Sequence, residues 1–200
     1  MSLELLQSRN LIEQMSPILD APDESTWFDA ISNLAEKWGF NQVFLAILTR
    51  PDSQFEDAFI RSTYAPSWRQ AYDDRKLSYI DPIVSHCSTR STPIAWSQEL
   101  FDSAPAPQQA FFEEARSHGL RVGVTLPIHG PKQEWGGISF VTDRTPTDDF
   151  WRHVNVVLPN LVLLRDLVLD TGECHLNAHA QPLIPQPTPY KRGYPAGNRN

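Results

Sequence analysis

Cysteine is scarce in this chain of 200 residues: only Cys87 and Cys174 occur. Two distant thiols build no disulfide framework and suit a reducing compartment, so a cytoplasmic location is expected. An excess of basic charge is missing too. Lys and Arg number 17 against 24 Asp and Glu, for a formal net charge of -7. That balance argues against a free-standing nucleic-acid binder, because phosphate contacts draw on grouped Lys and Arg. No long apolar run is present either. The most apolar stretch, Val154 to Leu169, is interrupted by Asn155, Asn160, Arg165 and Asp166 and fails as a membrane span. The opening Met1-Ser2-Leu3-Glu4 lacks the basic region and apolar core of a secretory signal. Gly-rich phosphate loops, a P-loop and a Gly-x-Ser-x-Gly elbow are also absent. Nothing in the sequence requires a catalytic centre, a metal or a cofactor.

What is present is a chain long enough for one domain, with 40% apolar residues to fill its core. From Ser25 to Phe40 the apolar residues Trp27, Ile31, Leu34 and Trp38 recur at helical spacing, which predicts a helix with one buried face. Gln42–Thr49 and Ala58–Tyr64 are rich in strand formers and flank the turn residues 51–54, which predicts a hairpin. Gln108–His118 has a helical pattern and stops at Gly119, a residue suited to a left-handed C-cap. Val122–His129 and Trp135–Thr142 read as a second antiparallel pair. A last helix is expected from Thr147 to about Val168, with Thr147 as N-cap and Pro159 kinking or splitting it. Strands interspersed with such helices predict an α+β domain whose mainly antiparallel sheet is covered by helices on both faces. Between Thr171 and Asn200 stand five prolines and three glycines with few large aliphatics. The expected organisation is therefore a domain over residues 1–172 and a disordered tail over 173–200.

The chemistry gathers in Tyr64-x-x-x-Trp68-Arg69-x-x-Tyr72, followed by Asp81-Pro82 and Trp96. Aromatics with polar tips and a single carboxylate are the equipment of a mostly apolar pocket with a few oriented hydrogen-bonding groups. Each residue also has a plainer role. Tyr64 and Trp68 suit a core, and Asp81-Pro82 suits a helix N-cap followed by proline at the first helical position. Two rival sites are weaker. Ser85-His86-Cys87 sets a thiol beside an imidazole in sequence, but neighbours on a helix point apart. Cys174, His175 and His179 resemble part of a zinc site without the further ligands it needs.

Further text, taken together, carries a resemblance. Besides the stretch above it includes Asp81-Pro82-x-Val84-Ser85-His86-Cys87, Phe111-Phe112-Glu113-Glu114-Ala115, Gly119-Leu120, Gly123-x-Thr125-x-Pro127-x-His129-Gly130 and Gly136-Gly137-x-Ser139. From about Trp27 to Gly172 the chain resembles the autoinducer-binding domain of LuxR-type quorum-sensing receptors. The resemblance implies an α/β/α sandwich around a five-stranded antiparallel sheet and an N-acyl homoserine lactone as ligand, with no cofactor. By that resemblance Trp68 donates to the lactone carbonyl, Asp81 accepts the ligand's amide N–H, and Tyr64 and Ser139 hold the acyl amide oxygen. Arg69 reaches a 3-oxo group through water, implying a 3-oxo ligand, and a medium to long acyl chain is expected. Trp96 and Phe101 wall the lactone ring. The acyl chain lies against Phe44, Ala46, Leu48, Phe55, Ala58, Ile60, Val84, Leu120 and Thr125, and the wall includes Tyr72, Ile83 and Gly137. Two positions depart from the pattern: Phe101 stands where a family member has tyrosine, and Ile83 where it has threonine.

Full-length family members continue into a helix-turn-helix module, whereas this chain has Leu183-Ile184-Pro185-Gln186-Pro187, followed by Pro189, Gly193, Pro195 and Gly197. Direct DNA binding is therefore not expected of it. Three classes of function remain. The chain is a signal-binding receptor module; or it pairs, as homodimer or as a heterodimer that holds an intact regulator inactive, through the apolar helix from Phe150 to Leu169; or it is a lactone-cleaving enzyme using His86 or Cys87. A degraded receptor gene product is the bland alternative to all three.

Overall fold

The structure is a computed structural model that describes residues 3–50 and 52–180. Five antiparallel strands form one sheet: β1 (Gln42–Leu48), β2 (Phe59–Ser62), β3 (Ile94–Trp96), β4 (Val122–His129) and β5 (Trp135–Thr142). Their spatial order is β2-β1-β5-β4-β3. Helices α1 (Leu3–Leu19), α2 (Glu24–Lys37) and α7 (Asp148–Ala180) cover one face. Helices α3 (Pro66–Asp74), α4 (Pro82–Thr89), α5 (Gln98–Phe101) and α6 (Ala106–Ser117) cover the other. This is the expected three-layer sandwich.

Strand alternation divides the core in two. Val43, Leu45 and Ile47 of β1, Val124, Leu126 and Ile128 of β4, and Ile138 and Phe140 of β5 pack against Trp27, Ile31 and Leu34 of α2 and Leu161, Leu164 and Val168 of α7. Their neighbours Phe44, Ala46, Leu48, Thr125, Gly137 and Ser139 point the opposite way. β4 and β5 are buried on both faces, and for that reason they read as near-continuous apolar runs.

Local signals fix several element ends. Asp23 caps α2 by accepting the Thr26 N–H at 2.8 Å. Gly119 follows α6 with φ +84°, while the Leu120 N–H reaches back to the Ala115 carbonyl, the left-handed ending expected there. Thr147 caps α7, its hydroxyl accepting the Phe150 N–H at 3.2 Å. The β1–β2 pair forms in antiparallel register, Phe44 opposite Ser62 and Ile47 opposite Phe59. Its connection is longer than the expected turn and contains a 3-10 turn, Phe55–Asp57, that ends at Ala58.

Three features depart from the sequence expectations. α1 was not anticipated; it docks by Met15 and Ile18, which are buried against the α2–α7 layer. Pro159 lies inside α7 without splitting it. The boundary at residue 172 does not end α7 either, which continues to Ala180 and so takes up the first part of the expected disordered tail. Packing accounts for this: the Thr171 hydroxyl accepts the Trp27 indole N–H at 2.8 Å, Gly172 lies flat against the same ring, and the His175 ring stands 5.2 Å from it. Residues 181–200 of that expected tail lie outside the described residues.

Candidate ligand-binding site

Between the sheet and the α3–α6 layer the second half of the core is hollow. About 100 Å³ is open there to the centre of a water-sized sphere, against the roughly 10–15 Å³ that one water needs on that measure. Its walls are apolar and aromatic, and its polar groups gather on the side where α3, the start of α4 and β5 meet.

Each polar group is placed by a short local device. Pro66 opens α3 at a position where its missing N–H costs nothing, which sets Trp68 in the first turn. The Trp68 ring is held between Tyr72, Phe111 and His118, with centroids 5.4–6.0 Å away. Among the described residues the indole N–H of Trp27 donates to Thr171 and that of Trp96 to Thr125, whereas none accepts from Trp68. Among the described residues no buried side-chain nitrogen or oxygen is left without a partner, so the Trp68 N–H opens into the cavity instead of being sealed in the core.

Asp81 is both an N-cap and a cavity group. One carboxylate oxygen accepts the Ile83 N–H at 2.8 Å and the other the Tyr72 hydroxyl at 2.9 Å. Protein surrounds the group, and what remains of its surface lines the cavity. Burial raises its pKa from 3.8 to about 6, against the lowering effect of these hydrogen bonds. A carboxylate has about four lone-pair sites, so Asp81 can take a further donor from the cavity. Tyr64 stacks on Phe44, and burial together with the Asp81 charge raises its pKa, partly offset by Arg69 and by a hydrogen bond with Ser139. Tyr72 is raised by the same two causes. At neutral pH both phenols keep their protons.

A chain of hydrogen bonds crosses the cavity's sheet side. Trp96 Nε1 donates to Thr125 Oγ1 at 3.0 Å, and Thr125 and Ser139 share a bond of 2.8 Å. The Trp96 ring can lie over β4 because residue 123 is glycine: a Cβ there would stand 2.5 Å from the indole and 2.8 Å from the Phe140 carbonyl oxygen. Arg69 lies at the rim, its guanidinium over the Phe44 and Tyr72 rings and paired with Asp73 at 2.6 Å.

Of the residues singled out in the sequence, Phe44, Ala46, Leu48, Phe55, Tyr64, Trp68, Arg69, Tyr72, Asp81, Ile83, Val84, Trp96, Phe101, Leu120, Thr125, Gly137 and Ser139 all line this one cavity. Ala58 and Ile60 do not. Ala58 is buried where the 3-10 turn closes, and Ile60, on edge strand β2, lines a separate surface cleft with Phe55, Tyr72 and Lys76. Cys87, Phe111, Phe112, Ala115, Trp135 and Gly136 line the cavity without having been foreseen. Periodicity carried the signal for most of them. Cys87 follows Ile83 and Val84 by one helical turn, Ala115 follows Phe111 and Phe112, and Trp135 precedes Gly137 and Ser139 at strand spacing.

The rival sites gain little. His86 is engaged with the Thr92 carbonyl at 2.8 Å, and burial, with the Asp81 charge, pushes the Cys87 thiol up to about 12. Such a thiol is protonated at neutral pH and a poor nucleophile. Among the described residues no three His, Cys, Asp or Glu side chains converge as metal ligands, and no helix is long and apolar enough to cross a membrane.

Comparison with known proteins agrees with this geometry. Residues 23–171 match the family model described as autoinducer binding domain. The transcriptional activator VanR of Vibrio anguillarum is 32% identical over 139 residues, covering 70% of this chain and 56% of that protein. LuxR of Aliivibrio fischeri is 29% identical over 126 residues, 60% of this chain and 50% of its own. The chain thus spans about half the length of the curated relatives it matches. Among solved structures, the N-acylhomoserine lactone-dependent LuxR family factor CepR2 of Burkholderia cenocepacia superposes with a TM-score of 0.67 at 19% identity, over 88% of this chain and 98% of that one. SdiA, solved in complex with octanoyl-rac-glycerol, gives 0.64 at 20% identity, over 88% and 69%. These two share the fold. The match over residues 23–171, with the fold and the relatives, places this chain in the autoinducer-binding domain family of LuxR-type quorum-sensing regulators.

Proposed function

We propose that the cavity receives an N-acyl homoserine lactone, of medium to long chain and 3-oxo substituted, and that the chain acts as a signal-binding receptor module. The observation that carries this reading is the pairing of an unclaimed donor with an unsaturated acceptor in one apolar cavity: the Trp68 indole N–H and the Asp81 carboxylate. A lactone carbonyl suits the first and an amide N–H the second. Tyr64 and Ser139, both lining the cavity, offer hydroxyls to the acyl amide oxygen. Arg69 keeps N–H groups free of Asp73 for a 3-oxo group reached through water. Each methylene buried against these walls would contribute about 0.8 kcal/mol before the costs of binding. The acyl chain therefore supplies affinity, and the head-group bonds supply selectivity.

An acylglycerol is the competing ligand class, since SdiA is solved with one. It has no amide N–H for Asp81, so preference for an amide over the matching ester separates the two. The relatives named above are transcriptional activators; for this chain the proposal is confined to binding the signal. Pairing with a second copy or another regulator through α7 is a second reading, supported by Val156 and Leu163, exposed 74% and 45% and two helical turns apart. Sedimentation with and without ligand tests it: a monomer at all concentrations opposes it.

The primary test is expression with and without a panel of acyl homoserine lactones, followed by mass spectrometry of small molecules extracted from the purified protein. Stoichiometric recovery of a lactone supports the receptor reading. A folded protein that retains none and shows no thermal shift with any panel member overturns it.

A further inference from the structure

The cavity face of the sheet has a particular order of side-chain sizes. β1 presents Phe44, Ala46 and Leu48, and β5 presents Ser139, Gly137 and Trp135, paired as Phe44 with Ser139, Ala46 with Gly137, and Leu48 with Trp135. The middle pair is an alanine and a glycine, so the floor there is a trough. Over the glycine that space is already taken, since a Cβ on Gly137 would stand 2.9 Å from the Cys87 sulfur, so the open part of the trough lies over Ala46. One end of the trough is the polar group around Ser139. At the other stand Trp135 and its strand partner Leu48, both lining the cavity.

We propose that Trp135 sets the acyl-chain length this site accepts, as the end wall of the tail trough. The inference rests on the lactone reading above and goes beyond it by naming the residue that selects among lactones. Four strand residues separate Ser139 from Trp135, about 13 Å at strand rise. Carbon–carbon bonds of about 1.5 Å advance an extended chain about 1.3 Å per methylene. After allowing for the thickness of the ring, an acyl chain held by its amide at Ser139 meets the indole at about eight carbons. Longer chains must fold back or displace the ring. Trp135 belongs to neither buried apolar cluster and is only partly buried, so a smaller side chain there opens the trough without emptying the core.

The test is a length profile. Affinities of the parent chain, Trp135→Leu and Trp135→Phe are measured by calorimetric titration with 3-oxo lactones of six to twelve carbons, alongside melting of each empty protein. The parent optimum is expected near eight carbons. In Trp135→Leu the optimum moves to ten or more, with about a fifteen-fold gain for the ten-carbon ligand over the parent, from about fourfold per newly buried methylene. Trp135→Phe lies between. Uniform weakening at every length, or an unchanged optimum, overturns the end wall. So does an optimum that moves in Phe55→Ala but not in Trp135→Leu, because the tail then leaves between Phe55 and Tyr72 into the cleft lined by Ile60 and Lys76. A parent that binds all lengths equally removes only the end wall, whereas a parent that binds none removes the lactone reading and the end wall together.

Discussion

Replacing Asp81 with asparagine separates the cost of its charge from the use of that charge. In the empty cavity burial raises the carboxyl from 3.8 to about 6. An acid whose folded pKa lies above its unfolded value holds its proton more tightly in the folded state. Stability from this group is therefore greatest below about pH 4 and falls as pH rises toward 6. Above pH 6 the loss amounts to about 3 kcal/mol. Asparagine cannot ionise and escapes that loss, but with one carbonyl oxygen it keeps only one of the bonds from Tyr72 and Ile83, at a cost of about 1 kcal/mol. The empty Asp81→Asn protein should then be less stable than its parent by about 0.5 kcal/mol at pH 4 and more stable by about 2 kcal/mol at pH 8. The two curves cross between about pH 4 and 5. For a domain of this size the gain at pH 8 is about 4–8 °C in Tm. With lactone the order reverses, because the charged oxygen that was costly to bury is the acceptor for the ligand's amide, a bond worth about 1.5–3 kcal/mol. Melting of both proteins from pH 4 to 8, empty and saturated, tests each half separately. A Tm difference that stays constant across this range refutes the desolvated carboxylate. A variant that retains the full ligand-induced shift refutes Asp81 as the amide's acceptor.

Other expectations follow from the same geometry. In the parent, titration calorimetry across pH should show lactone affinity constant above pH 6 and falling as pH drops below it, since the proton competes with the ligand's N–H for Asp81. Trp68→Phe removes a donor that the empty protein does not use, so direct binding should weaken about five- to fifteen-fold, as for one lost hydrogen bond. The same change in a ligand whose lactone carbonyl is replaced by a methylene should cost much less. Thr125→Val breaks the link between Trp96 and Ser139 and buries an unpaired indole N–H; chemical denaturation should show a loss of about 1–3 kcal/mol, with Thr125→Ser restoring most of it.

Much of this fold was written in local signals. The helical spacing of Trp27, Ile31, Leu34 and Trp38, the strand runs from 122 and from 135, and Gly119 after α6 each act within a few residues, so the sequence exposes them directly. α1 depends on burying Met15 and Ile18 against helices distant in sequence, and its Pro17 reads as a breaker. The extension of α7 past Gly172 likewise depends on Trp27, 145 positions earlier, which no local propensity reports. Most of the cavity's lining was legible through family resemblance, because the aromatic spacing by itself suits a core equally well. What spacing could not show is that the Trp68 N–H lacks a protein partner while those of Trp27 and Trp96 have one. That difference is set by which hydroxyls the folded chain brings near, and only the three-dimensional structure distinguishes them.

The two halves of the core should respond differently to ligand. The layer formed by α2, α7 and the far face of the sheet is closed, with Ile31, Leu45, Ile138, Phe140, Leu161 and Leu164 fully buried. The α3–α6 layer surrounds a void of about 100 Å³, which at about 24 cal/mol per Å³ costs about 2 kcal/mol while it is empty. That penalty falls on one side only, so local opening of α3, α4 and α6 needs less free energy than opening of the sheet. Ligand at a thousandfold excess over Kd adds about 4 kcal/mol to global stability, and on this account it acts first on the hollow side. Amide hydrogen exchange should show α3, α4 and α6 weakly protected in the empty protein and strongly slowed by lactone. Protection of β1, β4 and β5 would change only by the global increment. Uniform protection of both layers in the empty protein would mean that the cavity carries no local penalty, and that the ligand enters a core already complete without it.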